Sequence, residues 1–388
     1  MSSSESENES CSYQNCEEPP VKQPRLEAPE EIETNTSNQI IRYKKYALIF
    51  AYIGTNYHGS QIQNNALTVE SVLQSAFLAA DLLHPAKQTI TASTFTRAAR
   101  TDKGVSAAAN VCALSLREME PEEMISLLNS RLPSEIRVLR VTKVTPSFNA
   151  RRSGTARRYE YMFPVSVLAP KSQNNWAYSD KIRQDFENLL QNFVGVHNFY
   201  NFTSDLQRED PKCKREILSI SVGEFNHNNV TFLVVKLYGR SFLLHQIRKM
   251  IGTSMAVFRS ILPAKYLTLA LTAETSLPTP KAPAEGLLLD GVEYEYYAEK
   301  YPDSINSEIL DCPEKTEFKT SILYPSMLKL IQGSTVFTDF LESVDDSNFS
   351  LAYDQYDQER QKLEVNVAKR TVKMTAEQIL ALRSKKRN

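Results

Sequence analysis

The sequence contains few cysteines, few glycines and no long apolar segment. Its five cysteines are scattered over 388 residues without the close His/Cys spacing of a zinc site, which argues against a disulfide framework and a structural metal. The eleven glycines form neither a GxGxxG nor a P-loop motif. No apolar run could span a membrane, and the acidic start MSSSESENES is neither a secretory signal nor a transit peptide. We therefore expect no metal, no nucleotide cofactor and no membrane association.

Charge is distributed unevenly along the chain, although the formal net charge is only -1. Residues 1–38 contain nine acidic and two basic residues, whereas residues 39–300 contain 31 basic and 23 acidic residues. This basic central region predicts contact with a polyanion, although a merely soluble basic surface would show the same excess. The cluster Lys385, Lys386 and Arg387 is typical of a short nuclear import signal. We expect a nuclear protein, with mitochondria or cytoplasm as alternatives.

The pattern of apolar residues divides the chain into four regions. Residues 1–42 are rich in Ser, Glu, Asn and Pro and are predicted to be a disordered acidic tail. Residues 43–164 alternate strands with helices, and residues 165–300 repeat this layout and include an apolar helix that Ser241 is predicted to cap. Residues 301–388 are predicted to be partly helical or loose. The order of elements predicts an α+β fold with a mainly antiparallel sheet.

One carboxylate lies in an unusually basic segment, TFTRAARTDKGVSA (residues 94–107). The Asp-Lys-Gly triplet formed by Asp102, Lys103 and the following glycine is ordinary turn chemistry. Arg97 and Arg100 add further positive charge, which would keep a carboxylate ionised and would also attract a phosphate backbone. The segment is compatible with a structural turn or with an acidic nucleophile that acts on a nucleic acid.

Five further motifs accompany ARTDKGVSA in a fixed order. They are AYIGTNYHGSQ (51–61), LPSEIRVLRVTKVTPSFNARRSGTARRYEYMFP (132–164), GVHNFYNFTS (195–204), GRSFLLHQIRKMIG (239–252) and PKAPAEGLLLDGVEY (280–294). Together these motifs resemble the TruA family of tRNA pseudouridine synthases over about residues 43–300, and most of all its eukaryotic tRNA pseudouridine synthase 1 group. The resemblance implies two similar ferredoxin-like α+β halves that share a central, mainly antiparallel sheet, with a basic cleft between them.

The resemblance also implies a catalytic trio. Asp102 matches the nucleophile in the Arg-Thr-Asp motif of the family, and Tyr159 matches its active-site tyrosine in the Arg-x-Tyr motif. Arg248, three residues after His245 and predicted to share a helix face with it, is the implied partner of Asp102. An arginine in so apolar a helix is costly unless it is paired. By pattern alone, Tyr159 would be a core residue of an alternating strand.

A wider set of residues is predicted to bind RNA. Basic side chains near the trio have phosphate contact as their functional interpretation and a solvated surface as the alternative. A loop after the first strand contributes three more residues, for which ordinary loop packing is the alternative. The predicted RNA-binding residues are Arg97, Arg100, Lys103, Arg151, Arg152, Arg157, Arg158, Tyr57, His58 and Gln61.

The resemblance implies an isomerase that converts uridine to pseudouridine in tRNA, in and near the anticodon stem-loop, and in other structured RNA including mRNA. The reaction moves the ribose from N1 to C5 of uracil without redox chemistry, so no cofactor is expected. The carboxylate could attack either the ribose or the uracil ring. The alternatives are a non-catalytic RNA-binding protein and a nucleoside hydrolase, although hydrolases usually need several acidic residues or a metal. We expect the protein to act as a monomer.

Overall fold

The computed structural model divides the chain into two units, Met1–Arg42 and Tyr43–Asn388. It describes residues 33–34, 40–91, 94–170, 176–204, 206–345, 349, 353–358 and 360–362. In the first unit, Glu33–Thr34 and Ile40–Ile41 form an antiparallel pair; most of the tail predicted to be disordered lies outside the described residues. Within the described ranges, no helix is both long and apolar enough to cross a membrane.

The second unit consists of strands and helices that alternate up to residue 300, followed by a helical C-terminal segment. The strands are β1 (Tyr43–Tyr52), β2 (Phe95–Arg97), β3 (Ser106–Arg117), β4 (Ile136–Lys143), β5 (Ala156–Pro164), β6 (Gly195–Asn198), β7 (Lys214–His227), β8 (Val230–Gly239) and β9 (Leu287–Glu293). The helices are α1 (Val69–Ala79), α2 (Pro121–Asn129), α3 (Asp180–Leu190), α4 (Gln246–Phe258), α5 (Tyr266–Thr272), α6 (Glu295–Lys300), α7 (Ser307–Leu310), α8 (Pro313–Phe318), α9 (Tyr324–Gly333) and α10 (Val336–Asp345), with a π-helical turn, Lys319–Leu323, between α8 and α9.

The strands of this unit form one sheet with the order β4-β1-β3-β9-β5-β8-β7-β6, and β2 also pairs with β3. The first repeat, β1-α1-β2-β3-α2-β4, has the sheet order β4-β1-β3-β2. The second contains β5-α3-β7-β8-α4-β9 in the order β9-β5-β8-β7, with β6 and α5 as additional elements. Both orders are those of the ferredoxin-like βαββαβ unit. Among the described strands of this sheet, only β9 and β3 pair in parallel. The predicted α+β class with a mainly antiparallel sheet is confirmed.

The connectivity also shows where the second repeat begins. Strand β5 ends at Pro164, so the division predicted at residue 164 places it in the first half. By topology, β5 is the first strand of the second repeat, and it pairs with β8 and β9 of that repeat. The two repeats meet where β9 lies between β3 and β5.

The two faces of the sheet pack against different layers. On β1, Leu48 and Phe50 face a core that also contains side chains of α1 and α2, whereas Ala47 and Ile49 face a second core that includes Phe318 of the C-terminal segment. A strand that is buried on both faces is apolar at nearly every position, as the sequence of β1 shows.

Helix α4 begins later than the sequence predicted. Its N-cap residue is His245, whose φ of 62° is in the left-handed region and interrupts helical geometry. The backbone N–H of Leu243 donates to the side chain of Gln246 (2.8 Å), which stabilises the turn before the helix. The prediction that Ser241 caps this helix was therefore wrong, and residues 241–245 form a loop instead.

The C-terminal segment is tied to the back of the sheet by buried ion pairs. The ammonium group of Lys319 bonds with both Glu160 on β5 (2.9 Å) and Asp290 on β9, and Lys315 contacts Asp290 at 3.2 Å. Burial alone would raise the pKa of Asp290, but the charges of Lys319 and Lys315 lower it to about 2. Residues 311–324 are therefore part of the folded domain.

We predict that Lys319→Met destabilises the protein by about 3 kcal/mol, because two largely buried carboxylates lose a charged partner. Urea denaturation measures this loss, and Lys329→Met, an exposed position on α9, is the control with an expected change within about 0.5 kcal/mol. Because the folded-state pKa of Asp290 is depressed, its contribution to stability is present above the ordinary pKa of 3.8 and is lost as the pH falls through about 2. An unchanged midpoint for Lys319→Met would show that the ion pairs contribute no net stability.

Candidate active site

A cleft of about 670 Å³ opens between the two repeats. It is lined by residues 95–102 and 151–152 of the first repeat and by residues 241–248 of the second. The arginines in its lining are Arg97, Arg100, Arg151, Arg152, Arg157, Arg215 and Arg248. Among the described residues that line the cleft, Asp102 is the one carboxylate. The cleft therefore combines a strongly basic surface with a single acidic group.

The loop that carries Asp102 is held against the segment that follows β1. The N–H of Thr101 donates to the hydroxyl of Ser60 (3.0 Å), and the N–H of Ser60 donates to the carbonyl of Thr101 (3.1 Å). Gly54 approaches the same loop so closely that a Cβ there would lie 2.1 Å from the carbonyl oxygen of Val105. A side chain at residue 54 would displace the loop, so this glycine is required by close packing.

The carboxylate of Asp102 faces the start of α4 in the second repeat. Its Oδ2 lies 3.6 Å from Nη1 of Arg248 and 3.6 Å from Nε2 of His245. The Nε of Arg248 donates to the carbonyl of Ala282 (2.7 Å), which orients the guanidinium. The side chains of Asp102 and Arg248 are 24% and 12% exposed, so the pair is shielded from bulk water yet reachable from the cleft. The structure brings these two predicted residues together.

His245 is a site residue that the sequence analysis did not assign. The motif HQIR placed it three residues before Arg248, which was the available signal, but the expected shared helix face does not exist because His245 precedes the helix. His245 instead lies in the loop before the helix, and from this left-handed position its side chain contacts Asp102. Arg215, next to Lys214 in the sequence, is a further cleft residue that only the fold reveals.

Tyr159, on β5, forms part of the floor of the cleft. Its side chain packs edge-to-face against Phe242 at a centroid distance of 5.1 Å, and the residue is 9% exposed. Burial raises the pKa of the Tyr159 hydroxyl well above its usual range, against a smaller opposing effect of Arg157. The phenol is therefore neutral at physiological pH, and it offers a ring face and a hydrogen-bond donor to a bound molecule. Leu287 adds apolar surface nearby.

Two cleft arginines are occupied by contacts within the protein. Arg97 forms an ion pair with Glu70, a buried residue of α1, including a bond of 2.9 Å to Oε2. The guanidinium of Arg157 donates to the carbonyls of Ala98 (3.2 Å), Arg151 (3.1 Å) and Arg240 (3.0 Å). Since these bonds fix the loops that form the cleft, both arginines have a structural role there.

Five of the predicted RNA-binding residues do not line the cleft. Arg158 points to the opposite face of the sheet, because neighbouring strand residues alternate in direction. There it pairs with two carboxylates of β9 and with Asp311 of the C-terminal segment. Tyr57 is buried, and its carbonyl accepts the N–H of Gly104 (3.3 Å). The others in this group are Lys103, His58 and Gln61. The loop after β1 thus packs against the Asp102 loop on the side away from the cleft.

Three predicted residues remain as exposed positive charges in the cleft: Arg100, Arg151 and Arg152. Partial burial, together with the charges of Arg97 and Arg151, lowers the pKa of Arg100 from its ordinary value. Mutual repulsion of this kind favours the binding of a polyanion, because a phosphate relieves it. No group of three His, Cys, Asp or Glu side chains suited to a metal ion occurs in the part of the chain that the structure describes.

The sequence is similar to those of known proteins over most of its length. The model of the tRNA pseudouridine synthase family matches residues 189–295. The pseudouridylate synthase 1 homolog of Mus musculus is 34% identical over 79% of this chain and 75% of its own. The tRNA pseudouridine synthase 1 of Kluyveromyces lactis is 27% identical over 87% of this chain and 76% of its own.

A third relative, the tRNA pseudouridine(27/28) synthase of Saccharomyces cerevisiae, is 28% identical over 68% of this chain and 87% of its own length. The matches to the mouse and yeast proteins extend beyond the residues of the family model. With its paired repeats and its cleft, the chain therefore belongs to the TruA-type family of tRNA pseudouridine synthases and is an RNA pseudouridine synthase.

Proposed function

We propose that the protein isomerises uridines in and near the anticodon stem-loop of tRNA, with Asp102 as the nucleophile. The observation that carries the proposal is the position of Asp102, the one carboxylate among the described residues that line an arginine-rich cleft. A nucleophile needs to be reachable by the substrate, and the Asp102 side chain is partly exposed to the cleft. The surrounding arginines supply affinity for the RNA backbone.

The isomerisation breaks the bond from uracil N1 to ribose C1′ and forms a bond from C5 to C1′. A proton leaves C5, N1 gains a proton, and nothing is oxidised or reduced. Asp102 attacks either the ribose or the uracil ring and is released when the new bond has formed. The detached base must stay in place while it rotates, so the enzyme needs apolar surfaces on which the ring can turn.

The neighbours of Asp102 provide what this chemistry requires. Arg248 lies 3.6 Å from Oδ2 of the carboxylate, and we assign the attack on the substrate to Oδ1. Tyr159 and Leu287 line the same cleft and offer flat and apolar contacts to the uracil ring. We propose that the hydroxyl of Tyr159, which lines the same cleft, takes part in the removal of the C5 proton.

The basic cleft and the similarity to tRNA pseudouridine synthases both support tRNA as the substrate. A uridine that enters the cleft leaves its base stack, so only its own edges are available for recognition there. Selection must then come from the shape and backbone of the surrounding RNA, which the exposed arginines contact. We propose tRNA as the main substrate, with other structured RNA, including mRNA, as further substrates, and a nuclear monomer as the active form.

Asp102→Asn should lower pseudouridine formation by at least about 1,000-fold while tRNA binding stays largely unchanged, because the carboxylate performs chemistry and the arginines supply affinity. Tritium release from C5 of uridine-labelled tRNA measures the first quantity and filter binding the second. Asp303→Asn, at an exposed position in the C-terminal segment, is the control with full activity. Turnover by Asp102→Asn would contradict the nucleophile assignment, and free uracil in the wild-type reaction would indicate hydrolysis.

Arg248→Ala should reduce kcat by about 100-fold and Arg248→Lys by about 10-fold, since lysine keeps the charge but not the planar fork. Single-turnover kinetics with saturating enzyme separates this loss from a loss of binding. The matched control is Arg183→Lys on α3, which contacts Asp180 and does not line the cleft. Wild-type kcat in Arg248→Ala would remove Arg248 from the catalytic machinery.

The affinity for tRNA should fall steeply with salt, and the double variant Arg151→Ala/Arg152→Ala should flatten this dependence by a slope of about 2, because two phosphate contacts are lost. Lys181→Ala on α3, away from the cleft, should leave the slope unchanged.

Sequencing of RNA from cells that lack the protein identifies the modified uridines. Loss of pseudouridine from ribosomal RNA alone would refute the proposed substrate while leaving the chemistry intact.

A further inference from the structure

His245 contacts the same carboxylate oxygen as Arg248, yet the reaction described above gives it no task. Its Nε2 is 3.6 Å from Oδ2 of Asp102, slightly beyond hydrogen-bond length, and its side chain is 23% exposed. The contact joins the two repeats, as the contact of Arg248 does. Contacts of catalytic groups are often longer in the free enzyme than in the complex with substrate.

The backbone around His245 is fixed, so the ring has a defined position. The φ of 62° commits the residue to the left-handed region, which histidine tolerates better than most residues. The hydroxyl of Thr203 donates to the carbonyl of Leu244 (3.0 Å), which anchors the preceding residue. On the far side of the ring, Nδ1 lies 3.5 Å from the hydroxyl of Ser204. Ser204 and Asp102 thus contact opposite nitrogens of one imidazole.

We propose that neutral His245 is a positioning residue that holds the Asp102 carboxylate through Nε2–H, with Ser204 donating to Nδ1, and that protonation of His245 switches the site off. The inference rests on the proposed role of Asp102 as the nucleophile. With Nδ1 as acceptor, the tautomer is set and the proton lies on Nε2, facing Asp102. Asp102 is then held by one neutral and one charged donor at Oδ2.

A second full charge at this oxygen would change the reaction. An imidazolium beside Arg248 would draw the carboxylate towards α4 and lower its nucleophilicity, because two cations would stabilise its negative charge. In addition, a protonated Nδ1 could no longer accept a hydrogen bond from Ser204. The same two contacts therefore orient Asp102 in one protonation state and restrain it in the other.

The groups that face His245 favour the neutral form. Burial lowers its pKa, Asp102 opposes this effect, and the positive charges of Lys281, Arg248 and Lys249 lower the pKa further. Lys249 is fixed close by through a bond to the carbonyl of Thr203 (2.7 Å). Because the pKa lies below the ordinary 6.5, the active neutral state is populated at neutral pH, and activity is lost as the pH falls through the lowered value.

The test compares three variants over about pH 5 to 8, the range in which histidine titrates. His245→Gln keeps a donor near the position of Nε2 but cannot acquire a charge, so it should retain most of the neutral-pH kcat and lose the acidic decline. His245→Asn tolerates the left-handed backbone but cannot reach Asp102, so kcat should fall by about 10- to 100-fold with little change in KM. Ser204→Ala removes a hydrogen bond that only the neutral ring accepts, so the acidic decline should move to higher pH, and an unchanged decline would contradict the role of Ser204.

For each variant we measure the rate constant under single-turnover conditions on tRNA, the affinity by filter binding, and the thermal midpoint. The inference is overturned if His245→Gln shows the same acidic decline as the wild type, or if His245→Asn has wild-type kcat. If both variants lose kcat only in proportion to a lower thermal midpoint, the role of His245 is structural and the inference also fails. The wild-type reaction is scored separately: tRNA without pseudouridine would refute the proposed substrate, and an active Asp102→Asn would refute the nucleophile, whatever the His245 variants show.

Discussion

The contact between Asp102 and Arg248 joins a carboxylate from one βαββαβ repeat to a guanidinium from the other. Neither repeat contains both groups, so the site exists only while the two repeats keep a fixed separation. The shared sheet provides this rigidity because β9 pairs with β3 on one side and with β5 on the other. The bonds between Thr101 and Ser60 and the close approach of Gly54 then hold one partner, and the bond from Arg248 to Ala282 holds the other.

The elements with strong sequence patterns could be predicted, and those set by backbone geometry could not. Three elements have local signals of this kind: β1 is apolar over most of its length, Thr68 caps α1 by accepting the N–H of Ser71, and Pro121 is the first residue of α2. The predicted start of α4 was wrong because a pattern of apolar residues does not reveal the left-handed conformation of His245. That error concealed the loop from which His245 reaches Asp102.

The site itself was predicted unevenly for a related reason. A motif could indicate Asp102, Tyr159 and Arg248, but charge alone could not indicate which arginines are already paired. The partner of Arg97 is 27 residues away, and Arg158 lies on the opposite sheet face with the C-terminal segment, which has no recognisable motif. Long-range partners of this kind are determined by the fold, so the number of basic residues in a segment overestimates the surface that is free to bind RNA.

The parallel pairing of β9 with β3 has a consequence for how the enzyme is made. Leu288 pairs with Ser106, about 180 residues earlier in the chain. The last strand of the second repeat to be synthesised is therefore the one that joins the sheets of the two repeats. Such a distant contact forms late and slowly compared with the local pairs inside each repeat. On the ribosome, the first repeat can fold around the Asp102 loop long before the basic residues of the second repeat are in place opposite it. A nascent or truncated chain therefore carries Asp102 without the opposing half of the cleft in place until residues 287–293 have been added.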